Sequence, residues 1–168
     1  MKNAIVTCGP IAVLLAVFMM PAITFLSCTG GAAASGDSGA VFNDVKGKEW
    51  VLTEIRSAGN TVLIDRKKYE ADNMENYFTI SFNDSRVNGV GAPNRYFGPY
   101  TIDSGRKLTL GNMASTLMAA FKEPDELKEY RYYGYLSDIT RWDLRNGKLE
   151  LYSSNSAGAE VVLVYTSR

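Results

Sequence analysis

The 168-residue chain contains no histidine, and this absence bears on most classes of enzyme. Histidine is the commonest general base and the commonest metal ligand in proteins, so its absence argues against the usual hydrolytic and metal sites. The segment Gly36-Asp37-Ser38-Gly39 matches the nucleophile tetrapeptide of chymotrypsin-like proteases, but without a histidine we interpret the match as accidental. We therefore predict a non-enzymatic protein that uses no metal and no other cofactor.

The chain also has no excess of positive or negative charge, because it contains 18 basic and 18 acidic residues. No basic run occurs in it. Binding to nucleic-acid phosphates or to anionic lipid headgroups requires a basic surface. We therefore exclude nucleic acid as an expected partner. The hydrophobic fraction of 46% and the charged fraction of 21% are those of an ordinary globular protein, and the length suits one domain.

Cysteine occurs only twice, as Cys8 and Cys28, within and directly after an apolar N-terminal run. Lys2 precedes this run, which ends in the sequence Phe25-Leu26-Ser27-Cys28. Bulky apolar residues, then a small residue, then cysteine are typical of a bacterial lipoprotein signal peptide. We therefore predict that residues 1–27 are a signal peptide and that Cys28 carries the lipid, including a palmitate chain.

An uncleaved membrane anchor, with Cys28 as an incidental thiol, is the alternative interpretation, because about 20 apolar residues can span a bilayer. Pro10 and Pro21 interrupt the run and favour cleavage. Residues 28–46 would then form a flexible tether that begins with a stretch rich in glycine, alanine and serine. Because Thr29 and not aspartate follows the cysteine, we expect lipid anchoring at the outer membrane of a bacterial cell envelope.

Residues 47–168 are expected to form the folded domain, in which short runs of β-branched or aromatic residues alternate with turn residues. Between Tyr77 and Phe82 every second residue is bulky and apolar, which is typical of a strand with one buried face. Asn146-Gly147 is a dipeptide that tight hairpin turns prefer. Further strands are predicted at residues 50–55, 61–64, 86–90, 100–102, 107–110, 148–152 and 160–166.

One helix is predicted from Glu123 to about Ser137. Its first turns contain Glu126 and Glu129, which we interpret as surface charges that complement the helix dipole. Gly134 costs about 1 kcal/mol relative to alanine inside a helix, so we expect it to pack closely on the sheet. The fold class predicted is α+β and mainly antiparallel β, as a curved, partly open β-barrel with one packed helix.

Two segments carry a resemblance to a known family, namely Asn94 to Tyr100 and Ser115 to Met118. Together with Gly47-Lys48-Glu49-Trp50 and Gly147-Lys148-Leu149-Glu150, they resemble the META (HslJ-like) domain from about residue 47 to residue 165. The resemblance implies the barrel fold and implies that no enzymatic activity is to be expected, and members include heat-inducible outer-membrane lipoproteins. The positions that match the family motif are Asn94, Arg95, Tyr96, Phe97, Gly98, Tyr100, Ser115, Thr116 and Met118.

The chain departs from the family at two cysteines, which can form a disulfide in other members. Ala92-Pro93 stands where the family usually has glycine and cysteine, and Ala120 stands where the second cysteine is usual. We therefore expect the two motif loops to be held together by packing alone. We interpret the segment from Asn94 to Tyr100 as structural, with a recognition surface as the alternative.

Tyrosine is concentrated in the predicted helix, where four tyrosines within six residues cannot all lie on one face. Tyrosine suits an interface because one end of its ring is apolar and the other accepts water. Our leading hypothesis is a stress-related envelope protein that binds an apolar ligand or an envelope partner. The alternative is an assembly role through protein contacts alone. The residues expected to line the binding opening are Tyr130, Tyr132, Tyr133, Tyr135 and Trp142.

Overall fold

The computed structural model describes residues 39–120 and 122–168, so the predicted signal peptide, Cys28 and residues 29–38 of the predicted tether lie outside the described residues. The helices are α1 (Arg66–Ala71) and α2 (Glu129–Ser137). The strands are β1 (Glu49–Ser57), β2 (Asn60–Leu63), β3 (Thr79–Phe82), β4 (Arg86–Val90), β5 (Arg95–Asp103), β6 (Lys107–Leu110), β7 (Ala114–Ser115), β8 (Arg141–Arg145), β9 (Lys148–Ser154) and β10 (Glu160–Ser167).

Eight of these strands form a closed antiparallel barrel in the order β1-β3-β4-β5-β6-β8-β9-β10, with β10 pairing back to β1. The β6–β8 contact is the narrowest, because only Lys107 and Arg141 pair there. β2 and β7 lie outside the ring, where they pair with β1 and β5. The predicted fold class, mainly antiparallel with one packed helix, is confirmed, and the pairing of β1 with β10 closes the barrel.

Alternation explains the core of this barrel. Ile80 and Phe82 of β3 are fully buried, as the pattern predicts. The strand begins at Thr79 and not at Tyr77, because Phe78 has a φ of 56°, which is incompatible with an extended strand. At the β8–β9 hairpin, Asn146 and Gly147 both have positive φ, as a type I′ turn requires, so the predicted turn is confirmed.

The two helices differ from the sequence-based prediction. α1 was not predicted, although its signal was present: the carboxylate of Asp65 accepts hydrogen bonds from the backbone N–H groups of Lys67 and Lys68 and caps the helix. α2 begins at Glu129 and not at Glu123. Leu127 is buried in the core and Lys128 is extended, so the chain before α2 packs as a loop.

The packed domain begins a few residues before the predicted boundary at residue 47. Phe42 and Val45 are buried, and the indole N–H of Trp50 donates to the backbone oxygen of Val45 at 2.9 Å. Phe42 also makes an edge-to-face contact with Phe82, with ring centroids 5.2 Å apart. The boundary therefore moves from 47 to about 42, since these apolar side chains fill one end of the core.

None of the helices in the described residues is long and apolar enough to cross a bilayer.

Candidate functional site

The family motif forms a hydrogen-bonded group, which we call the Asn94 clasp, consisting of Asn94, Thr116, Met118 and Glu129. The amide oxygen of Asn94 accepts from the hydroxyl of Thr116 at 2.9 Å and from the backbone N–H of Met118 at 2.6 Å. Its amide nitrogen donates to the carboxylate of Glu129 at 2.7 Å and to the backbone oxygen of Met118 at 3.2 Å. One nearly buried side chain thus joins a loop, the segment after β7 and the start of α2.

Glu129 is the second centre of the clasp, and our interpretation of it as a dipole-complementing surface charge is wrong. Its carboxylate accepts from the backbone N–H groups of Ala92 at 2.5 Å and of Asn94 at 2.7 Å. The hydroxyl of Tyr133 donates to the same oxygen at 3.3 Å. Buried backbone N–H groups need partners, so Glu129 satisfies donors that the loop itself leaves unpaired.

These contacts also correct the expectation that packing alone joins the motif loops. In this chain, polar bonds from Asn94 and Glu129 link the two loops in which other family members place cysteines. The geometry favours the structural interpretation of Asn94 over recognition, since all of its side-chain contacts are internal.

The rest of the motif divides between core and surface. Tyr96 is fully buried and its hydroxyl donates to the backbone oxygen of Thr79 at 2.9 Å. Gly98 permits a close approach, because a Cβ there would lie 3.0 Å from the backbone oxygen of Asn112. Phe97 is exposed, with the guanidinium of Arg86 4.9 Å from its ring centroid. Of the remaining positions, Arg95 and Ser115 are exposed and Tyr100 is half-buried.

The structure separates the aromatic residues that were expected to line one opening. Tyr132 and Trp142 belong to the core, and they do not line a groove. Tyr133 is half-buried against the Asn94 clasp. Tyr130 is 73% exposed and Tyr135 is half-buried. The division follows from helix geometry: Leu136 fixes the buried face, and Tyr132, four residues earlier, shares it.

Tyr132 completes a buried group of hydroxyls with Tyr96 and Tyr165. The Tyr165 hydroxyl donates to that of Tyr132 at 3.2 Å, and the hydroxyls of Tyr96 and Tyr132 are 3.3 Å apart. Burial raises the pKa of Tyr132 to about 12, although hydrogen bonds from its two neighbours partly oppose this rise. Burial also raises the pKa values of Tyr96 and Tyr165 well above the usual range, because a phenolate there would lose its hydration.

A groove of about 660 Å³ lies between α2 and the sheet formed by β1, β2 and β10, and we call it the α2 groove. Gly134, which we expected to pack closely on the sheet, faces the space of this groove. A Cβ on Gly134 would meet no atom within 4 Å. The prediction for Gly134 is therefore wrong, since the helix backbone faces open space there and not the sheet. Apolar and backbone parts of the groove come from Ile55, Val62, Leu127, Tyr130, Gly134 and Tyr135.

The opposite side of α2 borders a smaller cavity of about 330 Å³, which includes Tyr96, Met113 and Tyr133 in its lining. Its polar groups belong partly to the Asn94 clasp, because the Tyr133 hydroxyl donates to the backbone oxygen of Asn94 at 3.1 Å. Of the two, the α2 groove is the larger and contains the more exposed tyrosine, Tyr130.

Buried acids on the barrel wall are paired. In the described part of the chain these are Asp143 and Glu150. Asp143 forms ion pairs with Arg106 and with Arg145, the latter at 2.6 Å. Glu150 pairs with Arg56 at 2.9 Å. Each carboxylate is thus accounted for by a structural contact, and residues 39–120 and 122–168 contain no cluster of acidic, cysteine or histidine side chains suited to a metal ion.

Comparison with known proteins identifies the family and supports the fold. The model of the META domain matches residues 43–167. An NMR structure of a protein from Burkholderia xenovorans is 20% identical, with a TM-score of 0.53, over 75% of this chain and 86% of that chain. A crystal structure of a DUF4847 family protein from Bacteroides vulgatus is 12% identical, with a TM-score of 0.50, over 76% of this chain and 96% of that chain. At these identities the likeness shows the fold alone. No curated protein shows significant sequence similarity to this chain.

Proposed function

The chain belongs to the META domain family, and from this premise we propose that it is a non-enzymatic binding protein of the bacterial cell envelope, held at a membrane by a lipid on Cys28. The α2 groove is its binding site, and it accepts an apolar ligand or an apolar part of an envelope partner. The observation that carries this proposal is the groove of about 660 Å³ beside two tyrosines, Tyr130 and Tyr135.

Tyr130 is the specific support, because a large aromatic ring that is 73% exposed gains contact area when a ligand covers it. Buried Ile55 and Leu127 supply apolar surface at the base of the same groove. Water over such surface is released on binding, which stabilises a complex by about 25 cal/mol for each Å² covered.

To test binding, the full chain is reconstituted in lipid nanodiscs and titrated with the fluorescent fatty acid dansyl-undecanoic acid, with empty nanodiscs as background. Saturable binding is expected, and Tyr130→Ala and Tyr135→Ala each should weaken it about tenfold, since about 1.4 kcal/mol corresponds to one decade. Phe97→Ala is the matched control, because Phe97 is an exposed aromatic residue outside the groove. Equal binding by all three variants would contradict the proposed site.

The lipid anchor is supported by the sequence Phe25-Leu26-Ser27-Cys28 and by the absence of any later cysteine. Cells fed radiolabelled palmitate should label the wild-type chain and not Cys28→Ala. Labelling of both to the same extent would contradict the anchor. The outer membrane and a role in envelope stress belong to the same proposal, supported by Thr29 after the cysteine and by the heat-inducible lipoproteins that this chain resembles.

Assembly through protein contacts is the second candidate, and a different surface favours it. Leu117 is 98% exposed and Met118 is 52% exposed, while the Asn94 clasp holds the backbone of this segment in place. Leu117→Ser should abolish crosslinking to a neighbouring envelope protein if this segment is the contact. Ile102→Ser, at an exposed apolar residue elsewhere, is the control and should leave crosslinking unchanged.

A further inference from the structure

Resting on the proposed function, we infer that the occupant of the α2 groove is an extended peptide segment of a partner protein. This segment adds as a strand to the free edge of β2 and places an acidic side chain near Arg131 and a basic one near Asp138. Four features of the groove lead to this assignment, namely a strand edge, an open glycine, two unpaired charges and a mixed lining.

The strand edge belongs to β2. β2 pairs with β1 on one side, and no other described strand pairs with it. The N–H of Ile64 donates to the backbone oxygen of Thr53 at 2.9 Å, so the alternation of an antiparallel pair turns the backbone groups of Thr61 and Leu63 to the outer edge. The four residues of β2 include no charge and no proline, the usual means of blocking an edge. An added strand would continue the sheet face that forms the floor of the groove.

Gly134 provides the second feature. A glycine inside a helix lowers helix stability by about 1 kcal/mol relative to alanine, and close packing would be one reason for it. Here a Cβ would meet nothing within 4 Å, so the described part of the molecule gives no such reason. The missing side chain does leave room for a peptide backbone to approach α2 between Tyr130 and Asp138, which line the groove with it.

Arg131 and Asp138 provide the third feature. Both are exposed and line the groove, and within residues 39–120 and 122–168 neither forms an ion pair. Asp138 directly follows the last residue of α2, so it is separated from Arg131 by about 10 Å along the helix axis. A strand rises about 3.3 Å per residue and only every second side chain shares a face, so an acidic and a basic residue four positions apart, at about 13 Å, come within reach of this pair through the length of the arginine side chain. The two charges therefore fix the direction of the peptide.

The composition of the lining distinguishes a peptide from an acyl chain. Six apolar or aromatic side chains share the lining with five neutral polar and three charged ones. An acyl chain would leave these polar groups without partners, so we expect it to bind the groove more weakly than a peptide does. A peptide backbone offers one donor and one acceptor per residue and suits such a mixture.

The test is a selection from a displayed library of random ten-residue peptides on the full chain in nanodiscs, followed by binding measurements with the enriched peptides. Enriched sequences should alternate apolar residues and include an acidic residue four positions from a basic one, so that both lie on the same face of the strand. N-methylation of the alternate backbone nitrogens that face β2 should weaken binding at least tenfold, since it removes the donors of strand pairing, and N-methylation of the other alternate set is the control. Equal affinity of the methylated peptide would overturn the added strand.

Variants of the groove give readouts that a structural role would not produce. Gly134→Ala should weaken peptide binding at least tenfold while raising the melting temperature by about 3 °C, because alanine favours the helix. The double exchange Arg131→Glu with Asp138→Lys should prefer the peptide with its two charges interchanged, and both positions are exposed, so folding is retained. Unchanged peptide affinity in these variants would overturn the inference.

The same samples separate the inference from the proposed function. Binding of dansyl-undecanoic acid that depends on Tyr130, with no library peptide enriched over the Gly134→Ala chain, leaves the α2 groove as a binding site and rejects the peptide. Absence of both kinds of binding rejects the groove itself. Peptide binding that survives Gly134→Ala and the charge exchange places the contact elsewhere and also rejects the inference.

Discussion

The two sides of α2 use similar residues in opposite ways. Towards the Asn94 clasp, Glu129 and Tyr133 are fully engaged in hydrogen bonds to the loop before β5. Towards the α2 groove, Tyr130 and Gly134 make little contact with the rest of the described molecule. The family motif thus stabilises one side of the helix, while the other side, where we propose binding, is left open. Substitutions on the packed side should change stability, and substitutions on the open side should change it little or in the opposite direction.

The largest effect is expected from alkaline pH, because the packed side rests on neutral tyrosines. In the folded chain the pKa of Tyr132 is about 12, whereas an unfolded tyrosine ionises near pH 10. Stability is therefore complete below pH 10 and is lost as the pH rises from 10 through 12, because only the unfolded state releases the proton there. This residue alone should remove about 3 kcal/mol of the free energy of unfolding.

Urea unfolding measured at intervals from pH 8 to pH 12 checks this expectation. Tyr132→Phe should show a shallower decline over the same range, because one of the titrating groups is gone. A free energy of unfolding that stays constant to pH 12 would show that the buried hydroxyls of Tyr96, Tyr132 and Tyr165 ionise as readily in the folded chain as in the unfolded one.

Removal of the Glu129 carboxylate should have the next largest effect. Glu129→Ala leaves the backbone N–H groups of Ala92 and Asn94 without their acceptor, and the free energy of unfolding should fall by about 3 kcal/mol. Glu129→Gln is the matched control: its one remaining oxygen still serves both N–H groups, but its NH2 group cannot accept from the Asn94 amide, so it should cost about half as much. Urea denaturation provides the measurement, and an unchanged midpoint for the alanine variant would contradict the clasp.

Gly91 on the packed side and Gly134 on the open side allow the effect of the same added methyl group on stability to be compared. A Cβ on Gly91 would lie 2.5 Å from the Glu129 carboxylate and 2.6 Å from the Tyr133 hydroxyl. Gly91→Ala should therefore destabilise the domain by about 2 kcal/mol, in the range of overpacking. Gly134→Ala, where the same methyl group meets open space, should shift the thermal melt in the other direction. Equal shifts for the two variants would remove the distinction between the sides.

The smallest effect is expected from deletion of a single hydroxyl. Tyr132→Phe retains the ring packing and removes hydrogen bonds to Tyr96 and Tyr165, so it should cost about 1.5 kcal/mol. Tyr130→Phe, on the exposed side of the same helix, should change the free energy of unfolding by less than about 0.5 kcal/mol. Chemical denaturation of the two variants in parallel tests whether the loss in the free energy of unfolding depends on the burial of the hydroxyl.

Local features of the fold were predictable where a signal lies within a few residues. The alternation ending in Ile80 and Phe82 identified the buried face of β3. The dipeptide Asn146-Gly147 identified the turn between β8 and β9. Closure of the barrel was not predictable, because the pairing of Trp50 with Ser167 leaves no trace in either segment alone.

The site was predictable only in part. The tyrosine-rich helix did identify the element beside the groove, and the sequence placed Tyr132 on one face with Leu136, but that face proved to be the buried one and not the lining of an opening. Glu129 was misinterpreted because an acid at a helix start has the same sequence pattern whether it faces water or a loop. The signal that was available is the loss of both family cysteines at Ala92-Pro93 and Ala120, which calls for another link between the loops.

The pairing of the first and last strands determines when this domain becomes folded. β1 contacts β10 along most of its length, from Trp50 and Ser167 to Ser57 and Val161. Contacts between such distant segments slow folding, because a long loop must be ordered before the pairing stabilises it. A chain emerging from the ribosome or from a translocation channel therefore exposes the edges of β1 and β9 until β10 has followed. β10, with its eight residues, is therefore the strand whose arrival covers both of these edges.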